Sequence, residues 1–209
     1  MRTKTHLIFD MDGTLVDSSE LLANTINYVR GEIGLEPMPK KRITDAINDT
    51  SLHAAQFFYG TPQFEQRHID LFHAYYLQHH HLQSRLYDGI AELLEKLSRT
   101  HRLSVATNAY EASAAPLLEA LGIAKHFDTL LCGDHVDRPK PHPQMIEKIV
   151  DFYGDVPPEK FVMIGDGERD ILAARAAGID GLLVAWGFDT HADALPSAEA
   201  LAARLGVSL

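Results

Sequence analysis

The stretch His6-Leu7-Ile8-Phe9-Asp10-Met11-Asp12-Gly13-Thr14 governs how the rest of the chain is read. Its apolar run, Leu7 to Phe9, leads straight into a glycine-containing turn, the pattern of a buried strand that ends in a loop. At the carboxyl end of such a strand, Asp10 and Asp12 point into a ligand crevice. Carboxylates this close repel each other unless a cation or a shared proton compensates. The stretch therefore predicts a metal site.

Working outward, four more apolar segments read as strands: 103–106, 129–132, 161–164 and 182–185. Helical patterns separate them. Ile90, Leu93, Leu94 and Leu97 share one helix face, with Asp88 placed to cap it. Leu117, Leu118 and Leu121 form a second stripe closed by Gly122. Pro143 opens a third helix carrying Met145, Ile146 and Ile149, and Ile171, Ala174 and Ala177 lie on a fourth closed by Gly178. Strand–helix alternation predicts an α/β fold, a Rossmann-like parallel sheet with helices on both faces and right-handed crossovers.

After Val16 the alternation stops, and helical patterns at 18–33, 40–48, 51–58 and 62–80 replace it. Asp17 or Ser18 is positioned to cap the first, with Glu20 completing a capping box. The segment interrupts the chain just after the first strand, so it is expected to sit over that strand's carboxyl end. The expected division is a small all-helical cap domain, residues 17–83, inserted into a core domain made of residues 1–16 and 84–209.

The 209 residues are 45% hydrophobic and 23% charged, an ordinary globular composition. Lys and Arg total 19 against 29 Asp and Glu, a net charge of −10, which disfavours nucleic acid and anionic membrane as partners. A single cysteine, Cys132, excludes an intrachain disulfide and fits a reducing compartment. The apolar run before Asp10 is too short for a signal peptide or a membrane span. The expectation is a soluble cytoplasmic protein, monomer or homodimer. The run His79-His80-His81 reads as a polar helix end rather than a metal site, because no carboxylate lies beside it in sequence.

Three further polar clusters stand at or just beyond strand ends. They are Thr107-Asn108, the loop Arg138-Pro139-Lys140-Pro141-His142-Pro143, and Gly165-Asp166-Gly167-Glu168-Arg169-Asp170. The carboxyl ends of a parallel sheet open on one side, so these clusters converge with Asp10 and Asp12. The convergent set is several carboxylates, one hydroxyl, one amide and one lysine, which are Mg²⁺ ligands plus phosphate donors. Glu168 and Arg169 read as surface residues.

On these motifs the chain resembles the haloacid dehalogenase-like hydrolase superfamily, in its phosphatase branch, and looks most like phosphoglycolate phosphatase-type members. The motifs are Asp10-Met-Asp12-Gly-Thr14, Thr107-Asn108, Lys140-Pro-His-Pro143, and Gly165-Asp166 with Asp170, spread over nearly the whole chain. The resemblance implies a phosphatase acting on a small phosphorylated metabolite, phosphoglycolate-like or a sugar phosphate, through an aspartyl-phosphate. Asp10 would be the nucleophile and Asp12 the acid and base. Mg²⁺ would be held by Asp10, the Asp12 backbone carbonyl, Asp166 and Asp170. Thr107, Asn108 and Lys140 would hold the phosphoryl oxygens. Asn48, Asp49 and Thr50 fall where related enzymes place a substrate-specificity loop. That loop often carries glycine where this chain has Asn48.

A phosphomutase of the β-phosphoglucomutase type shares the nucleophile and acid, but those enzymes typically follow the specificity loop with Arg. Here the chain continues Thr50-Ser51-Leu52. Inorganic pyrophosphatase activity and a catalytically silent binding protein are the remaining alternatives. A dehalogenase or a phosphonatase is disfavoured, because both lack a second acid at the Asp12 position.

Overall fold

The computed structural model describes residues 4–49, 51–189 and 191–209. The chain runs β1 (His6–Phe9), β2 (Val16–Asp17), α1 (Ser19–Glu32), α2 (Lys40–Ile47), α3 (Ala54–Tyr59), α4 (Gln66–Gln83) and β3 (Arg85–Leu86). It continues through α5 (Ile90–Leu97), β4 (Arg102–Ala106), α6 (Glu111–Ala120), β5 (Thr129–Leu131), α7 (Gln144–Phe152), β6 (Phe161–Gly165), α8 (Glu168–Ala176), β7 (Asp180–Leu183) and α9 (Ala198–Leu205).

Five strands form a parallel sheet in the order β5-β4-β1-β6-β7, with β1 in the middle. Side chains alternate across it. Leu7 and Phe9, with Leu103, Val105, Val162 and Ile164, pack on one face against the apolar sides of α5, α6 and α9. Ile8 and Met163 pack on the other, against Met145, Ile146 and Ile149 of α7 and Ala173 and Ala174 of α8. Each such fully buried side chain contributes about 1.5–3 kcal/mol of transfer free energy. The α/β class and the layering on both faces are as the sequence predicts.

The four helices between β2 and β3 form the expected helical cap. They enclose a smaller apolar cluster of their own, in which Ala23, Ile26 and Val29 of α1 meet Ile43 of α2 and Phe58 and Tyr59 of α3. The chain's two crossings between sheet and cap pair antiparallel as β2 and β3, where Arg85 and Asp17 form an ion pair at 3.1 Å. Among the described residues, no helix is long and apolar enough to cross a membrane.

Several local expectations are corrected. Ser18 occupies the N-cap position of α1 without making a cap hydrogen bond, whereas Asp17 Oδ1 accepts from the Ser19 N–H at 3.3 Å, and Glu20 pairs with Lys40 at 2.7 Å instead of closing a capping box. Asp88 does not cap α5; Gly89 holds that position with φ +78°, a backbone geometry glycine adopts without strain. Strand β7 begins two residues before the expected segment, because Asp180 and Gly181 extend an edge strand without an apolar signature. Helices α3 and α4 also start later than the patterns suggested, α4 behind a reciprocal cap between Glu65 and His68.

Candidate active site

The functional side chains gather where the sheet's middle strands end. Asp10 follows β1 directly, and its backbone N–H still donates to the Ile164 carbonyl at 2.8 Å, which fixes where the carboxylate starts. Thr107 follows β4, Asp166 follows β6, Asp170 lies in the first turn of α8, and Lys140 stands on the loop between β5 and α7. All five are buried, Asp10 the most exposed of them at 7%. Lys140 Nζ bridges two carboxylates, 2.7 Å from Asp10 Oδ1 and 2.6 Å from Asp170 Oδ1. Asn108 holds the lysine from behind. Its Oδ1 accepts from the Lys140 N–H at 3.0 Å and its Nδ2 donates to the Lys140 carbonyl at 2.8 Å. The Asn108 side-chain amide is therefore engaged with Lys140, and not directed at a phosphoryl oxygen as expected.

Asp166 is held from three directions. Its Oδ2 accepts from Phe188 N at 2.7 Å and from Asn48 Nδ2 at 3.0 Å, and Thr14 Oγ1 lies 3.5 Å from Oδ1. Space around it is tight. A Cβ on Gly13 or Gly187 would collide with the Asp166 side chain, and one on Gly165 with Asp170. Gly13 also has φ +85°.

Oxygens of Asp10, Asp166 and Asp170 all lie within 4.8 Å of one another, and this buried triad is the one such cluster among the described residues. A single ammonium faces three carboxylates, so the site is short of positive charge. Burial, then the charges of Asp10 and Asp170, push the Asp166 carboxyl up to about 8. Burial likewise raises Asp170, against the pull of Lys140. Burial alone would lower Lys140, but Asp10 and Asp170 outweigh it and raise its pKa. Hard oxygen donors, crowded and under-neutralised, are the donor set of a hard divalent cation. The residues present therefore fit a metal.

Asp12 is different. It lies outside the triad, half-buried, and its carboxylate accepts a short hydrogen bond from the Ser18 hydroxyl. Burial and the neighbouring Asp10 raise it to about 7, against the opposing hydrogen bond from Ser18. The adjacent acids thus have distinct surroundings, one in the charge cluster and one in a hydrogen-bonded niche beside it.

Above Asp10 and Asp12 lies a cavity of about 280 Å³, floored by Thr107, Asn108 and Lys140 and roofed by α1, α3 and α4. Asn48, at the end of α2, lines it while reaching across to Asp166. Asp49 does not line it; its carboxylate is exposed and accepts from the Ser51 N–H and hydroxyl. Thr50 lies outside the described residues.

The match of a family model supplies the family. Residues 7–184 match the model described as haloacid dehalogenase-like hydrolase. The chain belongs to that family. Among its curated relatives, a phosphoglycolate phosphatase of Agrobacterium fabrum is 33% identical over 87% of this chain and 80% of its own length. An N-acetylmuramic acid 6-phosphate phosphatase of Pseudomonas aeruginosa is 32% identical over 90% of this chain and 84% of its own. A haloacid dehalogenase-like hydrolase from Streptococcus pneumoniae superposes with a TM-score of 0.76 at 28% identity, covering 92% of this chain and 90% of that one. With these relatives the chain is a phosphoric monoester hydrolase.

Three features of this site are not legible in the sequence. Arg169 is not a free surface residue: it lines the cavity, and its Nε is buried without a hydrogen-bond partner. Ser18 is bonded to Asp12, although a serine before a helix signals a cap. Asn48 contacts Asp166 across a sequence separation of 118 residues, and no local pattern announces such a contact. Trp186 packs on the core and donates its indole N–H to the Thr14 carbonyl at 2.9 Å.

Proposed function

We propose that the chain is a Mg²⁺-dependent phosphatase that hydrolyses a small phosphorylated metabolite through an aspartyl-phosphate on Asp10. The observation that carries this reading is the divided pair: Asp10 in the carboxylate–lysine cluster, Asp12 outside it with a carboxyl raised to about 7. Asp10, Asp166 and Asp170 would hold the metal, together with the Asp12 backbone carbonyl. Bound there, the cation would offset the charge of the phosphoryl oxygens and let a carboxylate approach them.

In the first step an Asp10 carboxylate oxygen bonds to phosphorus and the ester P–O bond breaks. Asp12 delivers its proton to the departing oxygen, and a pKa near 7 keeps that proton available at neutral pH. In the second step a water attacks phosphorus and gives a proton to the Asp12 carboxylate, and the bond between phosphorus and the Asp10 oxygen breaks to release Asp10. Lys140 and the Thr107 hydroxyl bind the phosphoryl oxygens, and Asn108 positions Lys140.

We assign residues 17–83 to a cap domain that opens and closes on the core of 1–16 and 84–209. The paired crossings β2 and β3 and the cap's own apolar cluster support that division. The single buried cysteine and acidic balance accord with a cytoplasmic enzyme.

The test is phosphate release from a panel of phosphomonoesters with and without Mg²⁺, together with mass spectrometry of Asp12→Ala. Metal-dependent release, and a phosphoryl group accumulating on the Asp10 peptide, are the expected results. No turnover on the whole panel with metal present would defeat the reading. Isomerisation of β-glucose 1-phosphate without net phosphate release would select the mutase.

A further inference from the structure

The roof of the cavity has a chemistry that the phosphoryl site below it does not share. Leu22 and Ile26 of α1, Phe58 of α3, Phe64, and Phe72 and Tyr76 of α4 turn apolar or aromatic surface toward the space above Asp10 and Asp12. A hydrated anion placed against the apolar part of this wall loses solvent without gaining a partner.

Two cations reach this space. Lys140 is bonded to Asp10 and Asp170. Arg169 lines the cavity with its Nε buried and without a hydrogen-bond partner. The imidazoles of His68 and His73 also line the space, and both are packed on aromatic rings, Tyr59 at 4.8 Å and Tyr110 at 5.6 Å between centroids.

Two neutral hydroxyls are unpartnered as well. Tyr76 Oη and Ser113 Oγ are buried, line the cavity and have no hydrogen-bond partner. Burial, then the charge of Asp12, hold the Tyr76 phenol well above its ordinary pKa, so it is a neutral donor. A buried hydroxyl left unpaired is destabilising, and a ligand atom placed against it removes that penalty.

We infer that the substrate is a phosphomonoester whose organic group is bulky and mainly apolar, with hydrogen-bonding atoms set against Tyr76, Ser113 and the Arg169 Nε. This deepens the phosphatase reading and rests on it. A two-carbon ester would leave most of this apolar roof uncovered.

Two esters of aliphatic alcohols separate these cases without a large difference in leaving-group reactivity: phenylethyl phosphate and phosphoglycolate, each assayed for kcat/KM with Mg²⁺. The expected result is a preference for phenylethyl phosphate of about tenfold or more. Leu22→Lys, at a half-buried position on the cavity wall, sets an ammonium in the roof and should reverse the preference. In a binding readout independent of turnover, phenylphosphonate should compete more tightly than phosphonoacetate with wild-type enzyme. Equal or better turnover of phosphoglycolate overturns the inference and leaves the phosphatase reading standing. So does failure of phenylethyl phosphate while acetyl phosphate still phosphorylates Asp10. No release from either ester and no adduct on Asp10 overturns both.

Discussion

The carboxyl edge of the sheet and the underside of the helical cap face each other across one cleft, yet they are built oppositely. The sheet edge crowds charge. Asp10, Asp166, Asp170 and Lys140 are buried side by side, and each is placed by a residue at or just past a strand end. The cap side is apolar and aromatic, and its shape comes from helix packing rather than from any one motif. The contrast teaches a division of labour. Phosphoryl chemistry needs charges at fixed positions, which strand ends supply. Selection of an organic group needs volume and apolar surface, which a helical layer supplies.

The largest expected effect lies at the charged edge. Asp10→Asn should lower kcat by roughly 10³-fold or more while leaving the thermal midpoint within a few degrees. A variant that retains full turnover would remove Asp10 from the chemistry.

Next come two matched core substitutions, one on each side. Ile164→Ala in the sheet and Ile43→Ala in the cap both empty fully buried sites and should each cost about 2–5 kcal/mol locally. The expected difference is where the loss spreads. Ile164→Ala should lower the global midpoint, whereas Ile43→Ala should mainly accelerate amide exchange in α1–α3. Identical exchange patterns would argue against a cap with its own cooperativity.

Asn48 is the cap residue that joins the charged cluster. Asn48→Ala removes its bond to Asp166 and should cost about 1 kcal/mol, visible as faster exchange at the end of α2. Unchanged exchange there would mean the contact does not hold the cap down.

The smallest effects are in pH dependence. Asp12 and Asp166 carry raised pKa values of about 7 and about 8 in the fold, so the unfolded chain releases these protons first. Stability of the metal-free protein should therefore fall as pH rises, with the loss complete above about 8, and Mg²⁺ should restore most at the alkaline end. Thermal scans across pH, with and without Mg²⁺, measure both. The Ser18 hydrogen bond favours the Asp12 carboxylate, so Ser18→Ala should raise the Asp12 pKa and move the alkaline limb of the kcat profile upward. A limb that moves down would contradict the sign.

Legibility followed the same division. Asp10, Asp166, Asp170, Lys140 and Thr107 were readable because an apolar run followed by a polar turn marks a strand end, and parallel strand ends converge. Asn108 was readable as a site residue but not in its role, which depends on a backbone segment 32 positions away. Ser18 was misread because a serine before a helix suits two partners equally, the helix N–H groups and a distant carboxylate. Arg169 was misread because it follows Glu168 in a polar stretch, where local charge indicates solvent and only the cap above it makes a cavity wall.

What the sequence alone determined is the α/β class, the inserted helical segment and the convergence of acids with one lysine. These follow from periodicity and from short-range spacing, which constrain each strand and its loop locally. Only the tertiary structure decided that Asp12 stands apart from the triad and that Asn48 reaches Asp166. It alone set two unpartnered hydroxyls under an apolar roof. Those outcomes depend on burial and on contacts between residues far apart in the chain. Neither quantity exists until the layers have packed.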